Sequence, residues 1–594
     1  MMWSLLLSLA LLCFGTVARA AVVTINWNVT WVWASPDGFG RPVIGINNQW
    51  PCPKLEATVG DTLIVNLHNG LGNQTTGLHW HGINQLQTPE MDGPSGVVQC
   101  PTPPGSSVQY KFLLDEPGTF WYHSHEKGQY PDGLRGPLIV QDPNDPYKGK
   151  YDEEIVLTVS DWYHQQSIPL VQAMLNPSNT LFRPPFPDTI LVNDKKDVKF
   201  NFVKGKTYRI RLINMSAFAS AFLWIDSHPL IMIMSDGTYL QTETAYQLHA
   251  SSAQRYDFLI SAIDRDSGNY PILLALDINR DFRNATLAPT FPHNQTAWLV
   301  MDENAPYTRP TNNIDVWRPA DDTHFKPLDN LAMIPSYDHL VQFDFRFCLD
   351  ANGYPRACLN GKPYIGQKVP SLYTAATVGG NNTDPVVYGQ INPVVVKKGD
   401  IVQLVINNQE AAGHPFHLHG HRFQILDRAR PYAGDWPGRD VNYNPTPNRR
   451  DTVTVWSWSH AVLRFRATNP GVWLFHCHIE WHVEMGLTAS FIEGPEQLRG
   501  HVFPEDHLEN CRLGGVPTRG NAAGNTVNPL DTTGMLTISP TVYTGATWIP
   551  PVANTTTTPT RGDSISSPAR RRAAAGSGIQ RRDAGVFEDS ELVF

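Results

Sequence analysis

The sequence predicts a mainly β protein made of three related domains in succession, and three observations carry that reading. Short runs rich in β-branched and aromatic residues recur along the chain: Thr62 to Leu67, Tyr110 to Leu114, Leu138 to Val140, Ile155 to Val159, Tyr208 to Ile213, Ile401 to Ile406 and Val462 to Phe465. They are bounded by Gly, Pro, Asn and Asp, and 48 Pro with 45 Gly suit sandwiches or barrels far better than helical bundles. A weak internal repeat then gives the domain count. Val59-Gly60-Asp61-Thr62-Leu63-Ile64-Val65 returns as Lys398-Gly399-Asp400-Ile401-Val402-Gln403-Leu404, with a middle version Lys204-Gly205-Lys206-Thr207-Tyr208-Arg209-Ile210. Pro117-Gly118-Thr119-Phe120-Trp121-Tyr122-His123-Ser124-His125 returns as Pro470-Gly471-Val472-Trp473-Leu474-Phe475-His476-Cys477-His478, with one gap allowed before the aromatics.

In chain order, residues 1–20 read as a removed signal peptide, with an apolar run Leu5 to Phe14 and a small-x-small site at Ala18-Arg19-Ala20. The run is shorter than the roughly 20 residues of a spanning helix, and no later segment spans either. The first domain is placed at 21–146, ending at Asp142-Pro143-Asn144-Asp145-Pro146, and the second at 147–305. A Pro-rich connection at 306–339 leads to the third domain, 340–540. Residues 541–594 turn to Thr, Ser, Ala, Gly and Arg and predict a disordered tail, solvated or trimmed at Arg570-Arg571-Arg572 and Arg581-Arg582. A chain of 594 residues with net charge −9 excludes a small module and disfavours nucleic acid or anionic membrane as main partner. Seven N-glycosylation sequons, at Asn28, Asn73, Asn214, Asn284, Asn294, Asn381 and Asn554, fit a secreted glycoprotein, which is expected to be a monomer.

Twelve of the 21 His fall within residues 78–125 and 414–482. Four motifs hold ten of them: His79-Trp80-His81, His123-Ser124-His125, His414-Pro415-Phe416-His417-Leu418-His419, and His476-Cys477-His478 with His482. In a strand, residues two apart point to one face, so each H-x-H offers two imidazoles to one place. Cys477 then faces away from His476 and His478, and adjacent residues can serve two metal centres joined by a few covalent bonds. A thiolate with two imidazoles is the ligand set of a blue copper electron-transfer site, here Cys477, His414 and His482. Eight His remain, enough for a multinuclear cluster and more than a closed four-coordinate zinc site needs. The first domain has Ser124 where the third has the thiol, so only the third can build the mononuclear site. With Cys13 in the signal peptide and Cys477 a ligand, five Cys remain. Cys348 with Cys358 around a turn, and Cys100 with Cys511, are the expected disulfides, leaving Cys52 odd.

These motifs, in this order, make the chain resemble the three-domain multicopper oxidases: laccases, ascorbate oxidases and fungal ferroxidases. The resemblance covers roughly residues 21–540 and implies three cupredoxin domains with four copper ions. It assigns His79 and His417 to type 2 copper, and His81, His123, His125, His419, His476 and His478 to the type 3 pair. Substrate gives single electrons to the type 1 site, and the cluster reduces O2 to water. Asp92 and Glu480 match the carboxylates that deliver protons, and Leu487 falls on the axial position, with Met485 as rival. A non-coordinating Leu raises the copper potential relative to Met.

The reductant turns on acids near the type 1 site. Of the three that bind ferrous iron in ferroxidases, one falls on Glu410, the second on Pro184, and the third around Asp281, so the iron site reads as incomplete. Asp188 instead matches the laccase carboxylate that accepts a hydrogen bond from a phenol, and no C-terminal membrane helix of the fungal ferroxidase type is present. The sequence therefore predicts a secreted laccase-type benzenediol oxidase acting on small aromatic reductants with O2, as in phenol coupling for pigment or polyketide formation. Ferroxidase is the alternative, followed by ascorbate oxidase and a non-catalytic copper-binding glycoprotein.

Overall fold

The computed structural model describes residues 20–262, 268–281, 290–307, 317–439, 443–538 and 547. The predicted signal peptide and nearly all of the predicted tail lie outside them.

Six sheets form three face-to-face pairs, as expected of consecutive cupredoxin-like domains. In the first pair, Arg41–Ile46, Val22–Ala34, Thr62–Asn69 and Ser107–Leu113 face Leu55–Thr58, Arg135–Gln141, Gly118–Ser124 and Leu78–His81. The strand Ser107–Leu113 alternates exposed and buried residues and sends Val108, Tyr110 and Phe112 inward, the period-two signature of a sheet with one wet face. Ile401–Asn408 is buried throughout, because it is the inner strand between His339–Leu349 and Ser459–Arg466.

The short repeat marks one topological step in each domain. Thr62–Asn69 runs parallel to Val22–Ala34, Thr207–Asn214 to Glu153–Trp162, and Ile401–Asn408 to His339–Leu349. Its glycines occupy the tight turn before the strand with positive φ at Gly60 (93°), Gly205 (78°) and Gly399 (97°), where a side chain would be strained. Asp61 accepts hydrogen bonds from the Thr58 and Ala21 amides, and Asp400 from the Lys397 amide, fixing that turn. The longer repeat needs no gap: Gly118–Ser124 and Gly471–Cys477 are both seven-residue strands.

Helices are few and local. Glu505–Leu513 is tied to the first domain by the Cys100–Cys511 disulfide, and Cys348–Cys358 closes the hairpin between His339–Leu349 and Pro355–Leu359. Cys52 is a buried free thiol. Among the described residues no helix is long and apolar enough to cross a membrane. One sequon is corrected: Asn214 is fully buried, donating to the Ala219 and Ala250 carbonyls, and its amide is inaccessible to a glycan.

Candidate metal centre

Two antiparallel strand pairs build the site. Leu78–His81 meets Gly118–Ser124 with His79 opposite His123, and His414–Leu418 meets Gly471–Cys477 with His417 opposite His476. The two pairs therefore present equivalent imidazoles from the first and third domains. His125, His419 and His478 lie just past their strand ends, and His482 sits on the short helix Glu480–Glu484.

The side chains gather into triplets whose ligand atoms lie within 4.8 Å of one another: His81, His123 and His478; His125, His419 and His476; and His79, His81 and His417. On the opposite face of the last strand, Cys477 Sγ lies 3.7 Å from His414 Nδ1 and 3.7 Å from His482 Nδ1. The period-two argument thus holds in space: His476 and Cys477, adjacent in sequence, belong to different clusters.

Hydrogen bonds fix which nitrogen of each ring faces inward. His79 Nδ1 donates to the Asp92 carbonyl (2.9 Å), His123 Nδ1 to Ser124 O (2.9 Å), His417 Nδ1 to Asp451 O (2.8 Å) and His476 Nδ1 to Cys477 O (2.8 Å). His419 Nδ1 donates to Asp92 Oδ2 at 2.7 Å. Each of these five rings must then turn an Nε2 lone pair inward. His81 is reversed: its Nε2 meets Asp451 Oδ1 at 3.2 Å, and its Nδ1 is left without a partner. Buried Nε2 atoms of His79, His123 and His417 also have no hydrogen-bond partner. His419 Nε2 and His476 Nε2 face each other 2.9 Å apart, both as acceptors, an arrangement that repels without a cation to share.

The donor chemistry therefore fits copper: converging neutral imidazole lone pairs on one side, a thiol with two imidazoles on the other. Burial keeps the imidazoles neutral, lowering His476 to about 4 and His482 to about 3, with His81, His123, His125, His414, His417, His419 and His478 well below the ordinary value. Burial pushes the Cys477 thiol up, so a bound cation is what would hold it as thiolate.

Asp92 is fully buried and touches both His79 and His419. Glu480 is buried at the helix start, its amide donating to Ala217 O, and its carboxyl is held well above the usual range by burial and by Glu484. Leu487 and Met485 are both buried, and Cys477 N donates to Leu487 O (3.1 Å), so Leu487 runs alongside the thiol. Glu410 is half-buried, its Oε1 accepting from Phe347 N at 2.9 Å, and burial raises its carboxyl. Phe347 in turn packs 5.3 Å from the His482 ring. Asp281 is buried and accepts from Ser220 N at 2.6 Å, and burial together with neighbouring Asp277 holds its carboxyl well above the usual range. Asp188 directly precedes the strand Thr189–Val192: its carboxylate accepts from His164 N (2.7 Å) and remains about half exposed. The sequence reading missed Asp451, which touches His81 and His417; its only signal was the charged run Arg449-Arg450-Asp451 entering the apolar strand Thr452–Val455.

Three cupredoxin-like domains around these clusters define a copper-dependent oxidase with one type 1, one type 2 and two type 3 ions. The chain belongs to the multicopper oxidase family: multicopper oxidase domain profiles match residues 28–145, 153–304 and 364–497. It is 44% identical over 528 residues to an iron transport multicopper oxidase, fetC, of Epichloe festucae, covering 88% of this chain and 84% of the relative. It is 39% identical over 541 residues to the iron transport multicopper oxidase fio1 of Schizosaccharomyces pombe, covering 89% and 85%. The crystal structure of Fet3p, a multicopper oxidase that functions in iron import, superposes with TM-score 0.83 at 34% identity, covering 87% of this chain and 99% of that one. The laccase from Botrytis aclada reaches TM-score 0.71 at 28% identity, covering 84% and 92%.

These relationships overturn the laccase expectation, and with it the aromatic reductant and the pigment role. That reading leaned on Asp188, on an absent carboxylate at Pro184 and on the lack of a C-terminal membrane helix, features outweighed by 44% identity across 88% of the chain.

Proposed function

We propose that the protein is a ferroxidase: it takes one electron from each of four ferrous ions and passes them to O2, which with four protons gives two water molecules. The observation that carries this is 44% identity over 528 residues to an iron transport multicopper oxidase. Glu410 supports it: it lies four residues before His414, and its carboxyl accepts from the amide of Phe347, whose ring packs against His482, so a ferrous ion would meet a carboxyl oxygen beside the electron-accepting ligands.

In this reading His414, Cys477 and His482 would hold type 1 copper, with Leu487 buried alongside the thiol. His79 and His417 would hold type 2 copper; His81, His123 and His478 would hold one type 3 ion, and His125, His419 and His476 the other. The coppers supply electron storage and the four-electron reduction of O2. The chain's own contribution is orientation and proton supply. Backbone carbonyls lock the ring tautomers, Asp92 holds His79 and His419, and Glu480, its carboxyl held well above the usual range by burial and lying two residues from both His478 and His482, is a proton source near the cluster. The two disulfides, together with the leader expected from the sequence, support export to an oxidising compartment.

Oxygen uptake measured in parallel with ferrous iron, simple phenols and ascorbate tests the proposal. Iron should give the highest kcat/KM; phenol turnover at or above the iron rate would overturn it.

A further inference from the structure

The middle domain supplies no candidate copper ligand, yet one of its side chains reaches the cluster through a single intermediary. Arg255 opens the strand Arg255–Ser261 and is fully buried. Its guanidinium forms a two-pronged pair with Asp451 of the third domain, Nη1 to Oδ1 at 2.7 Å and Nη2 to Oδ2 at 2.6 Å. Asp451 Oδ1 also meets His81 Nε2 at 3.2 Å and accepts from Thr452 Oγ1 at 2.9 Å, while the Asp451 carbonyl accepts from His417 Nδ1 at 2.8 Å. One residue thus sets the inward nitrogen of two imidazoles from different domains.

Arg255 is itself held from three sides. Its Nε donates to Thr119 O of the first domain (3.0 Å), Nη1 donates to Ala253 O (3.1 Å), and its amide donates to Asp236 Oδ1 (2.8 Å). Asp236 in turn accepts from Arg450 Nε and Nη2, both at 2.8 Å, next to Asp451. Gly82, which follows His81, records the same packing. Its φ is +90°, and a Cβ there would lie 2.6 Å from Arg255 Nη2 and 3.1 Å from Asp451 Oδ2. All three domains therefore meet at this fork, directly behind the ring of His81.

We infer that Arg255 is a positioning residue for the trinuclear copper site, acting through Asp451 to hold His81 and His417 with the correct nitrogen turned inward. The inference rests on the ligand assignment proposed above. A planar fork suits the task because it fixes the carboxylate plane as well as its charge; a lysine supplies the charge alone. Were Asp451 free to rotate, His81 could present Nε2 inward and the ligand set would no longer converge.

The test compares the purified wild type with Arg255→Lys, Arg255→Met, Asp451→Asn and a control, Arg209→Lys. The control disturbs another buried pair, with Asp257, that touches no candidate ligand. Copper per chain, type 1 absorbance, the type 2 electron paramagnetic resonance signal and thermal midpoint are read for each. Arg255→Met and Asp451→Asn should keep type 1 absorbance, fall below four coppers per chain and lose or shift the type 2 signal. Arg255→Lys should keep more copper but still show a shifted signal, and Arg209→Lys should lower only the thermal midpoint. Wild-type copper and spectra in Arg255→Lys would overturn the role of the fork, and this variant with Asp451→Asn decides the matter if Arg255→Met does not fold. Equal loss of type 1 and cluster copper in the Arg255 variants would show a merely structural residue. A wild type that binds fewer than four coppers would instead sink the ligand assignment beneath the inference.

Discussion

The strand ends at Ser124 and Cys477 occupy the same place in the first and third domains, since His79 pairs with His123 as His417 pairs with His476. Around Cys477 stand His414, three residues before His417, and His482, five residues beyond the thiol. The corresponding positions in the first domain are Thr76 and Gln129. They also converge: Ser124 Oγ and Thr76 Oγ1 both donate to Gln129 Oε1, at 2.9 and 3.0 Å. One domain closes this pocket with neutral hydrogen bonds and the other with soft and imidazole donors. The cupredoxin framework thus supplies the cavity twice, and three side chains decide whether it carries electrons or only stability.

Substitutions that convert one pocket toward the other sharpen this comparison. Cys477→Ser should abolish the blue absorbance and reduce iron oxidation at least roughly a thousandfold, because the only thiolate and its covalent route to His476 and His478 are removed. Copper analysis should still find the cluster ions. In the reverse direction, Ser124→Cys alone should give no second blue band. With Thr76→His and Gln129→His added, a cysteine–copper absorbance should appear; its absence in a folded, copper-loaded triple variant would show that the two pockets differ beyond these side chains.

Smaller effects follow at the rim. Glu410→Ala should raise the KM for ferrous iron about tenfold, roughly 1.4 kcal/mol of binding, with little change toward a reductant that carries no metal. Leu487→Met should lower the type 1 reduction potential in a redox titration, and an unchanged potential would point to a different axial neighbour. Ser124→Ala should be the mildest, costing about 1 kcal/mol in chemical denaturation with copper content unchanged.

Much of the scaffold is legible in the sequence because its signals are local. Six of the seven β-rich runs fall within strands, for instance Tyr208 to Ile213 inside Thr207–Asn214 and Val462 to Phe465 inside Ser459–Arg466, and Tyr110 to Leu114 overruns its strand Ser107–Leu113 by one residue. Both expected disulfides are present, Cys348–Cys358 on a hairpin and Cys100–Cys511 across the fold. The short helix carrying His482 and the buried charges at Asp451 and Arg255 were not legible. A five-residue helix leaves almost no periodicity, and a buried Arg–Asp pair 196 residues apart has no signature in either segment alone. The substrate was misread for a related reason: one carboxylate position, Pro184, was weighed against another, Asp188, when each is a single residue whose surroundings only the folded loop reveals.

By itself the sequence determined the inventory of candidate ligands and its division into two groups. Covalent spacing and the two-residue period of a strand force His476 and Cys477 to opposite faces in any packing. The tertiary structure decided which imidazoles gather into one cluster and which nitrogen each presents. Those choices depend on partners far along the chain, as with Asp451 turning Nδ1 of His81 inward and Asp92 holding His79 and His419. A tautomer is set by whatever hydrogen-bond partner the other ring nitrogen finds, and here the fold supplies that partner.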